Sequence, residues 1–483
     1  MANGKGPDDA PKMEMKRNIG LLSGIGLIVG TMIGSGIFIS PKGVLEGCGS
    51  VGLSLIIWTM CGVLATMGAL VYAELGTAVP RSGGEHAYLM YTYKGEKSRI
   101  GKLPAFLFDW TGLFIIRPTM VAVISLAMGT YIVKPFYTGC DPPTSVIKLV
   151  TALGMLLITF CNCYSVRLAT IIQNTMTVLK LIAIAIITVG GLYKLAAGNT
   201  EYISEGFEGT SQNPSTVIFA FYNGLWAFDG WNSLNFVTEE LENPSRNLPI
   251  AIMVGIPVTT LCYVLANIGY FSVMSKEEII LSHAVAVTWG DRVLGVMSWC
   301  IPMFVAMSTF GSVNGSLFSS GRLCYVAGRD SHFPKMLSFI HHKRLTPIPA
   351  MLFTLTISIL LLIPGDISTL IDCFSFASWL VYGVTSLSLI VLRFTEKDLH
   401  RPYKVPIIVP VIVFLASCYL VLAPILQNPG MQFLYAIIFI GSGVFIFVPF
   451  VYMRIHFRFM DRLTELCQKV LLLLPTTQEQ ATK

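Results

Sequence analysis

The chain alternates apolar runs of about 20 residues with short polar connections as far as about residue 453. A helix of about 20 apolar residues crosses a hydrocarbon core of about 30 Å. The pattern predicts twelve spans, near 19–46, 52–79, 103–133, 145–163, 165–194, 214–238, 248–272, 293–320, 347–364, 369–392, 406–425 and 431–453. The first 17 residues are polar. The first apolar run is too long for a signal-peptide core and lacks a clear cleavage site, so no removed leader is expected. The tail after residue 453 begins amphipathic (RFMDRLTELCQKVLLLL) and is suited to the inner membrane surface. Beyond Pro475 it is polar and expected to be disordered.

Two of the spans carry interruptions. Residues 30–38 read GTMIGSGIF, with Gly30, Gly34 and Gly36 close together. Each Gly in a helix interior costs about 1 kcal/mol relative to Ala, so the helix is expected to unwind there. Bare backbone at membrane depth is tolerated only where it is buried in protein or lines a cavity. The alternative is that small residues merely let two helices approach. The sixth span reads FAFYNGLWAFDGWNSLNFVTEE, where Gly224 and Gly230 bracket a segment containing Asp229 at mid-span. An acidic side chain at that depth marks a functional site by default.

The two interruptions occupy the same position in two halves of five spans each. Five is odd, so the second half runs inverted, and paired broken helices in an inverted repeat point to a transport site. The expected division is a tail at 1–18, halves at 19–200 and 201–395, two further helices at 396–453 and a tail at 454–483. Helix N-termini offer free N–H groups and a positive dipole end to a carboxylate. Unwound carbonyls suit an ammonium group. A small zwitterion, an α-amino acid, fits between the two.

Composition agrees. The chain is 54% hydrophobic and 12% charged, against about 25% charged in soluble domains. The expected fold class is an all-α polytopic membrane protein. The net charge of +6 is loop charge and no signature of nucleic acid. With cytoplasmic termini, the cytoplasmic segments hold 25 Lys and Arg and the outer segments 6. That bias orients both termini inward. The 11 Cys lie mostly inside apolar runs and form no disulfide framework. No Asn-x-Ser/Thr acceptor falls in an outer loop. The 7 His are scattered without metal-ligand spacing, so no metal is expected. There is no GxxxxGK[ST] phosphate loop, no GxSxG and no HExxH, and neither a cofactor nor an enzymatic activity is expected.

GTMIGSGIFISPKGVL, GVLATMGALVYAELGT, SGGEHAYL, FYNGLWAFDGWNSLNFVTEELENPSRNLPIAI and HRPYKVP together resemble the light subunits of heteromeric amino-acid transporters. These belong to the amino acid–polyamine–organocation superfamily with the LeuT-type fold, and the resemblance covers nearly the whole chain. It implies twelve helices in a 5+5 inverted repeat plus two. Within the family, Trp226 and Asp229 resemble the b-zero-plus-type subunits, which exchange cystine and dibasic amino acids for neutral ones. The cystine/glutamate and large-neutral exchangers are the family alternatives. A membrane receptor that binds an amino acid without moving it is the alternative of another class.

The resemblance implies roles residue by residue. Thr31, Met32, Ile33, Ser35 and Gly36 match the unwound segment that receives the substrate carboxylate. Trp226, Ala227 and Asp229 match the sixth-span segment, whose carbonyls receive the ammonium, with Trp226 as a gate. Lys180 (TVLKLIAIAI) matches the Lys that stands where sodium-coupled relatives bind Na⁺, which implies sodium independence; a Lys bound to first-span carbonyls for stability is compatible with this. Asp229 would attract a side-chain ammonium, or else cap a half-helix. Arg117 (IIRPT) would meet an anionic side chain, or else pair with Asp229 or with carbonyls. Cys140 (KPFYTGCDPPT) matches the Cys that is disulfide-linked to a single-span glycoprotein heavy subunit at the plasma membrane; an internal bridge to Cys48 is the alternative. Glu74 has the look of a structural residue.

Overall fold

The first apolar run folds as two helices, α1 (Leu21–Met32) and α2 (Gly36–Cys48), bent by 52° at the break between them. The computed structural model describes residues 19–474 apart from 80–82, 96, 138–139, 330–331, 345, 428–429 and 456–457. The N-terminal tail (1–18) and the polar end (475–483) lie outside the described residues. The chain continues through α3 (Val51–Ala78), α4 (Glu85–Thr92), α5 (Leu103–Thr111), α6 (Arg117–Val133), α7 (Thr144–Tyr164), α8 (Val166–Ala196), α9 (Glu201–Ser204) and α10 (Pro214–Ala227). It ends with α11 (Pro244–Phe271), α12 (Lys276–Leu281), α13 (Val285–Val293), α14 (Cys300–Arg329), α15 (Ile348–Leu362), α16 (Ile367–Thr395), α17 (Ile408–Gln427), α18 (Met431–Phe447) and α19 (Arg458–Leu471).

Among the described residues, nine helical segments are long and apolar enough to cross a membrane, and the bent pair α1–α2 makes a tenth. The other two of the twelve expected spans fall on shorter elements. Helix α10 has 14 residues and stops at the second break. Helix α15 has 15 residues and is predominantly apolar. On α7, Leu149, Leu153, Leu156 and Phe160 are exposed at helical spacing, the stripe a lipid-facing helix presents. The protein is a multi-pass membrane protein.

Helix starts follow capping chemistry. Ser50, Ser165 and Asp366 each accept a backbone N–H from the first turn of α3, α8 and α16. In the interior, α2 packs on α10, α1 on α11 and α6 on α14. Glu74, fully buried at one end of α3, accepts from Arg393 Nε at 3.0 Å and from the Val405 amide at 2.8 Å. Arg401 lies 3.6 Å away. This carboxylate fastens α3 to α16 and to the HRPYKVP connection, a structural role.

The tail after residue 453 pairs with the body of the fold. Strand β2 (Leu473–Leu474) pairs antiparallel with β1 (Ile340–His341), between α14 and α15. Leu473 is buried. Burying that leucine in the fold removes apolar area from water, which anchors the amphipathic helix α19.

Candidate functional site

Helix α1 ends at Met32, and Ile33 turns to an extended conformation. Ser35 opens α2 without a side-chain cap. The first amides of α2 therefore carry the positive end of the helix dipole without a cap from the Ser35 side chain. Helix α10 ends at Ala227, and the chain resumes as a 3-10 turn from Ser233. Gly230 sits at φ +98°, a left-handed conformation that favours glycine. Gly224, expected to bracket this break, lies inside α10 instead. A Cβ there would sit 2.7 Å from Cys61 Sγ, so its lack of a side chain serves helix packing.

The two breaks meet. Thr31 Oγ1 is 2.9 Å from Ser233 Oγ and 3.3 Å from the Gly230 carbonyl. The Tyr263 hydroxyl lies 2.6 Å from Met32 O and 2.9 Å from Ala227 O, so one phenol spans both broken ends. Lys180, buried on α8, donates to the Gly30 carbonyl. A Cβ on Gly36 would stand 2.4 Å from Ala227 Cα, so only glycine lets α2 approach α10 this closely. Thr31, Met32 and Gly36 thus meet Ala227, Gly230 and Ser233 across one junction, directly or through Tyr263, while Ile33 and Ser35 lie in the break itself. Trp226 is buried and meets Phe374 of α16 edge-on at 4.6 Å.

Asp229 is half-buried, and its Oδ1 accepts from the Tyr382 hydroxyl at 2.9 Å. Arg117 begins α6 directly after a π-helical turn at Gly112–Ile116. Such turns widen a helix and recur at functional sites. Arg117 lies over the Phe236 ring at 5.5 Å. Among the described residues no carboxylate comes within ion-pair distance of it, so the contact pair with Asp229 is not formed.

The junction is built of helix ends, carbonyls and one carboxylate inside an apolar bundle. The family profile described as amino acid permease matches residues 19–453. The chain belongs to the amino acid permease family. The b(0,+)-type amino acid transporter 1 of Mus musculus is 53% identical over 440 residues, 91% of this chain and 89% of that protein. The cystine/glutamate transporter of Homo sapiens is 44% identical over 425 residues, 88% of this chain and 83% of its own. The large neutral amino acids transporter small subunit 2 of Mus musculus is 44% identical over 440 residues, 88% and 81%.

Two further features of this permease bear on the expectations. Cys140 is exposed and Cys48 is buried, and both thiols are free, so no Cys48–Cys140 bridge exists. The scattered histidines do come together at one place. His86 Nδ1 lies 3.0 Å from both oxygens of Asp109, and His332 Nδ1 lies 2.5 Å from Oδ2, with all three residues buried. Ligands about 2.0–2.1 Å from a tetrahedral ion stand about 3.3 Å apart. The Asp–His spacings here are shorter and belong to hydrogen bonds. The carboxylate links α4, α5 and the segment after α14.

Sequence reasoning missed Tyr263 and Tyr382. An aromatic residue in an apolar run gives the same signal whether or not its hydroxyl is used. Glu85 stood in a quoted motif, but nothing local marks it as a partner of Asn232 at the second break.

Proposed function

We propose that this permease is a sodium-independent amino-acid antiporter that exchanges cystine and cationic amino acids for neutral ones by alternating access. The observation that carries this is Asp229: a carboxylate beside the α10 break, held at one oxygen by Tyr382 and half-open at the junction. The first amides of α2, with Thr31, Ile33, Ser35 and Gly36, receive the substrate carboxylate. The carbonyls of the second break, near Trp226 and Ala227, receive the α-ammonium, and Met32 belongs with the carboxylate-receiving segment. Trp226 closes over the substrate. Lys180 supplies the fixed cation that replaces Na⁺. The similarity to a b(0,+)-type transporter supports this choice of substrates.

Arg117 favours a second reading, a cystine/glutamate type, because a guanidinium that has no carboxylate partner among the described residues suits an anionic side chain. The first reading is preferred because Asp229 is the acid at the break itself. Cys140, exposed on the loop after α6, is the attachment point for a disulfide-linked heavy subunit. The small-subunit name of one relative supports a two-chain assembly. The Lys and Arg bias supports cytoplasmic termini.

The test is uptake of labelled cystine, leucine, arginine and glutamate into liposomes loaded with arginine, with and without Na⁺. Internal arginine should stimulate uptake of the first three, with no need for Na⁺. Glutamate as the preferred substrate would move the assignment to the second reading, and no stimulation by internal substrate ends the antiporter reading. Cys140→Ser should abolish the size shift on a non-reducing gel.

A further inference from the structure

Glu85 opens α4 and is buried. Its Oε1 accepts from Tyr72 at 3.1 Å and from Asn232 Nδ2 at 2.8 Å. Its Oε2 is buried and has no hydrogen-bond partner among the described residues. A buried carboxylate oxygen without a donor is costly, and such an exception in a native structure calls for an explanation.

The surroundings supply one. Asn232 closes the second break, just before the 3-10 turn. The Tyr72 ring meets Trp231 at 4.8 Å and Tyr382 at 6.2 Å, both edge-on. Trp231 meets Tyr382 at 4.9 Å. Tyr382 in turn holds Asp229. Two carboxylates therefore flank one aromatic group, each held at one oxygen by a tyrosine. Among the described residues Arg117 forms an ion pair with neither and lies over the Phe236 ring instead.

We propose that Glu85 is a second anionic station for the side-chain cation of dibasic substrates, set between the helix breaks and the α4 end of the bundle. This rests on the cationic-substrate reading above. A guanidinium or ammonium would give Oε2 the donor it lacks, while Tyr72 and Asn232 keep Oε1. With α4 on the cytoplasmic side, as the charge bias orients it, the station serves the inner half of the path. It affects how cationic substrates enter and leave from inside. Neutral substrates have no group to place there.

The test is sided exchange in liposomes of fixed orientation. Glu85→Gln keeps an oxygen for Tyr72 and Asn232 but removes the charge. It should raise the half-saturating arginine concentration on the α4 side about tenfold, the scale of a hydrogen bond to a charged group. Leucine on either side, and arginine on the opposite side, should stay within about twofold of wild type. Glu85→Asp keeps the charge and should shift arginine in the same sense by less. Equal loss of leucine and arginine would overturn the proposal in favour of a purely structural anchor for Asn232. So would an unchanged arginine constant on the α4 side, in Glu85→Gln or, should that variant not fold, in Glu85→Asp. Asp229→Gly, measured alongside, separates the two ideas. If it leaves arginine selectivity intact from both sides, the cationic-substrate reading fails at its own residue, whatever Glu85 does.

Discussion

The Tyr382 hydroxyl donates to Asp229 Oδ1 across 2.9 Å. Helix α16 thereby fixes the orientation of the acid beside the α10 break and leaves its second oxygen to other partners. Removing the acid should be selective. Asp229→Gly is expected to lower arginine exchange about tenfold or more relative to leucine, since hydrogen bonds to charged groups contribute about 1.5–3 kcal/mol. Tyr382→Phe should shift the arginine-to-leucine ratio the same way by a smaller factor, because the carboxylate stays but loses its anchor. Competition of unlabelled arginine and leucine against labelled cystine reads both ratios. Parallel loss of both substrates in Asp229→Gly would sink the side-chain role.

Lys180 bonds to the Gly30 carbonyl one turn before the first break. Lys180→Ala takes away both a buried charge and the donor of a buried carbonyl, which costs about 1–3 kcal/mol for the orphaned acceptor alone. The expected result is a lower thermal midpoint in detergent and exchange reduced for leucine and arginine alike. Wild-type exchange should be the same in sodium and choline media. A Lys180→Ala protein that exchanges at the wild-type rate in choline would show that this cation is dispensable.

Glycines along the first span differ in what they tolerate. A methyl on Gly36 would meet the Ala227 backbone, whereas one on Gly26 meets nothing within 4 Å. Gly36→Ala should therefore push α2 off α10 and destabilise the protein by about 1–3 kcal/mol, the range for overpacking. Gly26→Ala, in the interior of α1, should stabilise by up to about 1 kcal/mol through helix propensity. Thermal unfolding of the two variants side by side decides it. Equal midpoints would mean that the α2–α10 contact is looser than the geometry requires.

Much of this architecture is legible because the chain is so uniformly apolar. Against that background Gly30, Gly34 and Gly36 stand out, as does Asp229, and the structure breaks the chain at those two places. Gly224 misleads because a glycine for unwinding and a glycine for close packing look the same in one dimension. Only the neighbouring Cys61 tells them apart. Tyr263, which spans the two broken ends, and Tyr72 and Tyr382, which hold the carboxylates, are hidden for a similar reason: their rings satisfy the apolar pattern, and their hydroxyls act on residues far away in sequence. The π-helical turn before Arg117 leaves no mark in the Gly-Leu-Phe-Ile-Ile run that forms it. The docking of the tail onto β1 needs a partner that the tail itself does not disclose.

Asp109 shows the same long-range logic and yields the sharpest stability prediction. Its carboxylate takes hydrogen bonds from His86 and His332, and all three side chains are shut away from solvent. Removing one partner of a buried, charged network costs about 3–5 kcal/mol, because the remaining groups lose the compensation for their burial. Asp109→Ala should accordingly lower the unfolding midpoint more than His332→Ala does, since the acid serves both rings. The same experiment distinguishes a hydrogen-bonded lock from a metal site. The Asp–His spacings are those of hydrogen bonds, so a strong chelator should leave the wild-type midpoint where it is, and added Zn²⁺ should not raise it. A midpoint that falls with chelator in wild type, but not in His332→Ala, would show that an ion rather than shared protons holds the three residues together.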